Sequence, residues 1–180
     1  MEDIRELILK TGLTILREEG LSSFTQPRIA ARSGLRHSHL TYYFPTRTAL
    51  LAAVVREAID MQMAAVRSMA ETITSPQQAV AAVASVVAQH ENTRVFVALN
   101  QAADREASLR ELFNELTENF VGELTKILEK FGMKSDQASV DLVRSLLVGL
   151  SVLNLIGSHE RGEARAKAVM KTAFDLLSSN

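Results

Sequence analysis

The 180-residue sequence predicts an all-α protein, with three short helices over 1–46 and a long helix leading into further helices over 47–180. Apolar residues recur at helical spacing through most of the chain, and no stretch shows the strict alternation of a strand. Helix caps, glycines and prolines divide that pattern into segments. The composition, 47% hydrophobic and 23% charged, suits a globular core and excludes disorder of the chain as a whole.

Asp3 is the first N-cap, followed by Ile4, Leu7, Ile8, Thr11 and Ile15 on one face; Gly20 in the left-handed region ends this helix and lets Leu21 touch Leu16. Thr25 caps a second helix with Pro27 in its first turn, where a missing N–H costs nothing. Ile29 and Ala30 form its apolar side, and Ser33-Gly34 supplies a tight reversal. A short third helix covers about Arg36 to Tyr43. Pro45 disfavours helical geometry at Phe44, and Thr46 caps a long helix carrying Leu50, Leu51, Val54, Val55, Ala58 and Ile59, to about Ile73. Further helices are expected near 76–89, 92–102, 105–131, 136–157 and 162–178. Their breaks fall at Thr74-Ser75-Pro76, Phe131-Gly132, Ser135 and Gly157 to Gly162.

Several function classes drop out early. With no cysteine, disulfides, thiolate metal sites, iron–sulfur clusters and a Cys nucleophile are excluded. The eight glycines never form G-x-G, and neither H-E-x-x-H nor G-x-S-x-G occurs. His37 and His39 lie about 200° apart around a helix and do not grip one metal together. His90 and His159 read as surface or core histidines rather than catalytic ones, so no catalytic constellation, metal site or cofactor is expected. Met1 to Lys10 lacks the pattern of a secretory signal. Thr72 to His90, the longest uncharged stretch, is too polar to span a bilayer. The expected setting is the cytoplasm, without a membrane partner.

The net charge of −1 calls for no polyanionic partner, but the local distribution does. Between Glu19 and Glu57 there is no acidic residue, while Arg28, Arg32, Arg36, Arg47 and Arg56 fall inside that interval. Such a basic block is an electrostatic footprint for phosphates. It coincides with a helix, a glycine turn and a second short helix, the arrangement of a helix-turn-helix. At about 100° per residue, Leu40, Tyr43 and Phe44 share one side of that second helix and Ser38 and Tyr42 the other. Leu40 and Phe44 are assigned to the core; His37, at the N-terminal end, Ser38, His39 and Thr41 are placed to meet base edges. Tyr42 offers its hydroxyl to a phosphate, and Arg47 adds a charge-assisted contact. With Thr25, Arg28 and Arg36 these complete the expected DNA-contacting set.

The run Phe24-Thr25-Gln26-Pro27-Arg28-Ile29-Ala30-Ala31-Arg32-Ser33-Gly34-Leu35, followed by Leu40-Thr41-Tyr42-Tyr43-Phe44-Pro45-Thr46-Arg47, resembles the helix-turn-helix of the TetR family of bacterial transcriptional regulators. Arg36 stands where that family often has Ser or Thr, and Arg47 where Lys is common. The resemblance implies a homodimer, a near-palindromic double-stranded operator and a larger domain that binds a small effector and dimerises. It places Met61, Met63, Phe96, Asn100, Phe113, Leu116 and Phe120 on the effector-binding helices, with Asn100 as an orienting hydrogen-bond group. An uncharged or largely hydrophobic effector fits that composition, since a buried charge needs a paired group. Val140 to Ile156 is apolar on nearly every face and must be covered on more than one side. With the apolar helix near Ala164 to Leu177, it suggests a dimer interface through Leu146, Leu147, Leu150, Leu153, Val169 and Phe174. The function expected is a repressor released from its operator by the effector. The alternative is an all-α small-molecule binding or carrier protein without DNA binding, for which the basic block is incidental.

Overall fold

Local chemistry closes each N-terminal helix in turn. In the computed structural model, which describes residues 3–88, 90–155 and 159–178, helix α1 covers Ile4–Glu19, and the Asp3 carboxylate accepts from the Arg5 amide at its start. Gly20 ends it with φ +80° and ψ −174°, in a region open essentially to glycine alone. That ψ differs from the left-handed cap expected and sends the chain into a single 3₁₀ turn, Leu21–Ser23, which the sequence reading missed. Helix α2 (Gln26–Arg32) starts at Thr25, whose hydroxyl accepts from the Arg28 amide at 3.4 Å. It ends in a Schellman turn: the Leu35 amide donates to Ala30 O, the Gly34 amide to Ala31 O, and Gly34 has φ +68°. Helix α3 follows over His37–Tyr43, then α4 over Arg47–Thr72, with Thr46 Oγ1 accepting from the Ala49 amide.

Helices α5 (Pro76–Val87), α6 (His90–Ala103), α7 (Ala107–Lys130), α8 (Gln137–Asn154) and α9 (His159–Ser178) complete the chain, and no strand occurs among the described residues. Ser75 caps α5 and Asp136 caps α8, while Gly132 closes α7 with a second Schellman turn, Met133 N to Leu128 O and Gly132 N to Glu129 O. Helix α9 begins three residues before the expected start and runs through Gly162. A Cβ there would stand 2.8 Å from Asn154 Cγ, so this glycine is needed for close approach to α8 rather than for a turn. Ile156 and Gly157, expected in or at the end of α8, and the side chains of His90 and His159 lie outside the described residues.

The chain divides into two compact units. The first comprises Met1–Gln62 with Arg94–Glu115, the second Met63–Thr93 with Leu116–Asn180. In the first, Ile8, Ile15, Leu16, Phe24, Ile29, Leu40, Leu50, Val54 and Leu109 are fully buried. Burial of a side chain of this kind contributes about 1.5–3 kcal/mol. Helix α2 packs on both α1 and α3. Gly12 permits the close packing of α1: a Cβ there would lie 2.9 Å from Val54 Cγ2 and 3.3 Å from Phe24 Cε2. In the second unit α5, α8 and α9 pack on one another around Val140, Val143, Leu147, Leu150, Met170 and Phe174. No helix among the described residues is long and apolar enough to cross a membrane.

Candidate nucleic-acid interface

Helix α3 is amphipathic in the way its wheel predicts. Leu40 and Phe44 are buried, whereas Arg36, His37, Ser38 and His39 are exposed in succession, and Tyr42 is 82% exposed. Thr41 is half-buried, its hydroxyl donating to Ser38 O at 3.2 Å. The Tyr42 ring meets the edge of Tyr43, which is itself exposed, with centroids 5.3 Å apart and planes at 88°. That contact supports an otherwise free-standing phenol. Arg36 occupies the N-cap without capping it, as its side chain makes no hydrogen bond to the first turn.

Three hydrogen bonds from side chains hold this helix in place. Gln26 Nε2 donates to Phe44 O at 2.6 Å, tying the start of α2 to the end of α3. Arg47 Nε donates to Phe24 O at 2.7 Å and its Nη2 to Leu21 O at 3.1 Å, joining the start of α4 to the 3₁₀ turn. The guanidinium expected at a phosphate is therefore also a structural pin, with part of its five-donor fork already used. Arg5 adds a cation over the Phe44 ring at 5.8 Å.

The basic block is less basic in space than in sequence. Arg28 pairs with Glu19 at 2.5 Å, and Arg32 with Glu18 at 2.6 Å and Glu19 at 2.8 Å. Arg56 grips both oxygens of Glu115, at 2.8 and 2.9 Å. Hydrogen bonding to these partners raises the pKa of Arg32 and Arg56 and lowers that of Glu115. The acid-free interval is bounded in sequence by α1, whose last two residues reach over α2, and Glu115 is 59 residues from Arg56. Arg36 has no carboxylate or carbonyl partner among the described residues. Placed beside His37, Ser38 and His39, it concentrates the unpaired positive charge on the leading end of α3.

The remaining expected site residues divide between the units. Met61, Phe96, Asn100 and Phe113 belong to the first, where the Phe96 and Phe113 rings meet at 5.6 Å and Met61 and Asn100 are exposed. Met63, Leu116 and Phe120 belong to the second, where Phe120 packs against the core. Of the residues expected at a dimer interface, Leu147, Leu150 and Phe174 are buried in the second unit's own core, with Leu146 and Val169 packed against it. Leu153 is 61% exposed, and Leu142, Val148 and Val152 of α8 and Leu176 of α9 are exposed as well. Sequence reasoning missed Gln26, Gly12 and the Glu18-Glu19 pair. The last carried a signal, because two carboxylates at the negative end of a helix dipole call for cations from elsewhere.

Residues 8–54 match the family model described as bacterial regulatory proteins, tetR family, and residues 74–176 match the tetracyclin repressor-like C-terminal domain. No curated protein matches the chain significantly. Among solved structures, a transcriptional regulator from Rhodococcus sp. RHA1 superposes with a TM-score of 0.84 at 18% identity, over 99% of this chain and 100% of that one. A regulator from Saccharomonospora viridis in complex with choline gives 0.81 at 15% identity, over 93% and 95%. FadR from Bacillus subtilis in complex with stearoyl-CoA gives 0.71 at 16% identity, over 96% and 97%. These likenesses show the shared fold, and the two family models together span both the helix-turn-helix and the C-terminal helices. The chain belongs to the TetR family of bacterial transcriptional regulators.

Proposed function

We propose that this regulator is a cytoplasmic repressor that binds a near-palindromic operator as a homodimer and leaves it when a small, uncharged or largely hydrophobic effector binds. Residues 1–46 read DNA in this account, and 47–180 dimerise and take up the effector. The observation that carries it is the face of α3: Arg36, His37, Ser38, His39 and Tyr42 are exposed together on a helix fixed by a Schellman turn and by the Gln26 and Arg47 hydrogen bonds. His37, Ser38, His39 and Thr41 read bases. Tyr42, Arg36, Arg47, Thr25 and Arg28 contact the backbone, Arg28 with donors that its Nη2 pairing with Glu19 does not use.

The bound choline and stearoyl-CoA of two similar structures support a small-molecule effector as the releasing signal. The effector residues proposed are Met61, Met63, Phe96, Asn100, Phe113, Leu116 and Phe120. For the dimer, the exposed apolar residues of α8 and α9 support an interface centred on Leu153, with Leu142, Val148, Val152 and Leu176 as further contacts. Selection of bound sequences from a random duplex pool, followed by titration at two salt concentrations, tests the DNA reading. A regulator enriches a motif and binds with a steep negative salt slope; absence of both favours the carrier alternative.

A further inference from the structure

The C-terminal end of α1 is an unusual place for two carboxylates, and the surrounding contacts account for it. A helix leaves its last carbonyls without intrahelical partners, and its dipole places partial negative charge there. The Gly20 amide serves Ile15 O and Leu16 O. Arg17 O and Glu18 O are served by a residue far away in sequence: Arg94 of α6 directs Nη1 at both, at 2.9 and 3.1 Å. The carboxylates of Glu18 and Glu19, at the same helix end, hold Arg28 and Arg32 of α2. Three guanidinium groups therefore converge on one helix end, and one of them comes from outside the helix-turn-helix. Arg94 belongs to the same compact unit as α1, α2 and α3.

We propose that Arg94 is a positioning residue for DNA binding: by holding the end of α1 it sets where Glu18 and Glu19 hold α2, and thereby how α2 presents α3. This rests on the DNA-binding reading above. The coupling follows from the contacts in order. Arg94 restrains two backbone carbonyls, which restrain the two carboxylates, which restrain the two arginines of α2. Helix α2 is continuous with α3 through the Schellman turn and is tied to its far end by Gln26. These charge-assisted hydrogen bonds form one connected set, from Arg94 through the end of α1 to Arg28 and Arg32 of α2. It also gives α6 a means of altering DNA affinity without touching DNA.

The test uses the full chain, with an operator selected from a random pool and a random duplex as probes. Wild type, Arg94→Ala, Arg94→Lys, Arg32→Ala and the double variant Arg94→Ala/Arg32→Ala are compared by titration, thermal unfolding and amide hydrogen exchange. Arg94→Ala is expected to weaken operator binding about two- to thirtyfold, the range typical of residues that modulate coupling without touching the ligand. Exchange should accelerate at residues 16–33 and not in α8 or α9. Arg94→Lys, which keeps the charge and one donor direction, should fall between the two and keeps the test informative if the alanine variant does not fold. The decisive reading is the cycle: in the Arg32→Ala background the Arg94→Ala effect should shrink. Unchanged operator affinity in folded Arg94→Ala, or additive losses in the double variant, would overturn the proposal. A wild-type chain that binds neither duplex would overturn the DNA-binding reading and the proposal with it.

Discussion

At the scale of single residues, the proposed DNA contacts Arg47 and Tyr42 differ in what else each side chain does. Tyr42 is 82% exposed with its hydroxyl free of any protein partner among the described residues, so Tyr42→Phe should remove the proposed phosphate contact and little else. Its expected cost is about 1 kcal/mol, felt equally on operator and random duplex, with unchanged thermal unfolding. Arg47 has a second role, donating to Phe24 O and Leu21 O. Arg47→Ala should weaken binding to both duplexes and also lower thermal stability by roughly 1–2 kcal/mol, a combination that titration and calorimetry together detect. Substitutions at His37, Ser38, His39 or Thr41 should instead change the preferred bases, each correct contact being worth about 1–3 kcal/mol. An unchanged selected motif across all four variants would remove α3 from the role of reading helix.

At the scale of elements, each helix owes its position to a few backbone-level devices that substitution can test. Gly12→Ala puts a methyl 2.9 Å from Val54 Cγ2 and 3.3 Å from Phe24, both buried, and the overpacking should cost about 1–3 kcal/mol although alanine is the better helix former. Chemical denaturation of the variant measures it. Helix α8 carries a pH-dependent cap: Asp136 accepts from Ser139 Oγ at 2.9 Å and from the Ser139 amide at 3.1 Å, which lowers its pKa. A carboxylate with a folded-state pKa below its unfolded one stabilises above the unfolded value and loses that contribution as pH falls through the folded one. Thermal melts from neutral pH down through about 4 and below should show this loss in wild type. In Asp136→Asn the Asp136 contribution to that acid limb should be missing.

At the scale of the whole molecule, two-fold symmetry links the proposed interface to the operator. Recognition helices of a dimer enter successive major grooves when about 34–36 Å apart, or a multiple of a helical turn. A ligand that stabilises another spacing, for instance by binding α4 near Met61, lowers DNA affinity only by as much as it prefers that state. Calorimetry with an effector, with and without operator, should therefore show operator lowering the effector's affinity by the same factor as the effector lowers the operator's. Leu153→Glu places a charge on a 61% exposed apolar position and should yield a folded monomer by light scattering. Leu147→Glu, at a position buried in the second unit, should unfold that unit instead.

The sequence by itself determined the features whose causes lie within about one helical turn. Asp3, Thr25, Thr46 and the Gly34 turn were legible because a cap and the amide it serves are two to five residues apart. The exposed and buried sides of α3 followed from helical periodicity. What tertiary structure decided are the contacts that close over long separations. The five arginines between Glu19 and Glu57 read as an uncompensated block, yet Arg56 meets Glu115 and Arg32 meets Glu18 and Glu19 once the helices pack. On α8, periodicity cannot say which of several apolar faces a helix turns inward when nearly all are apolar; packing against α5 and α9 buried Leu147 and Leu150 and left Leu153 outside. Arg94, 77 residues from Arg17, belongs to the same class. Its partners are backbone carbonyls, which every residue carries and which no side-chain pattern marks.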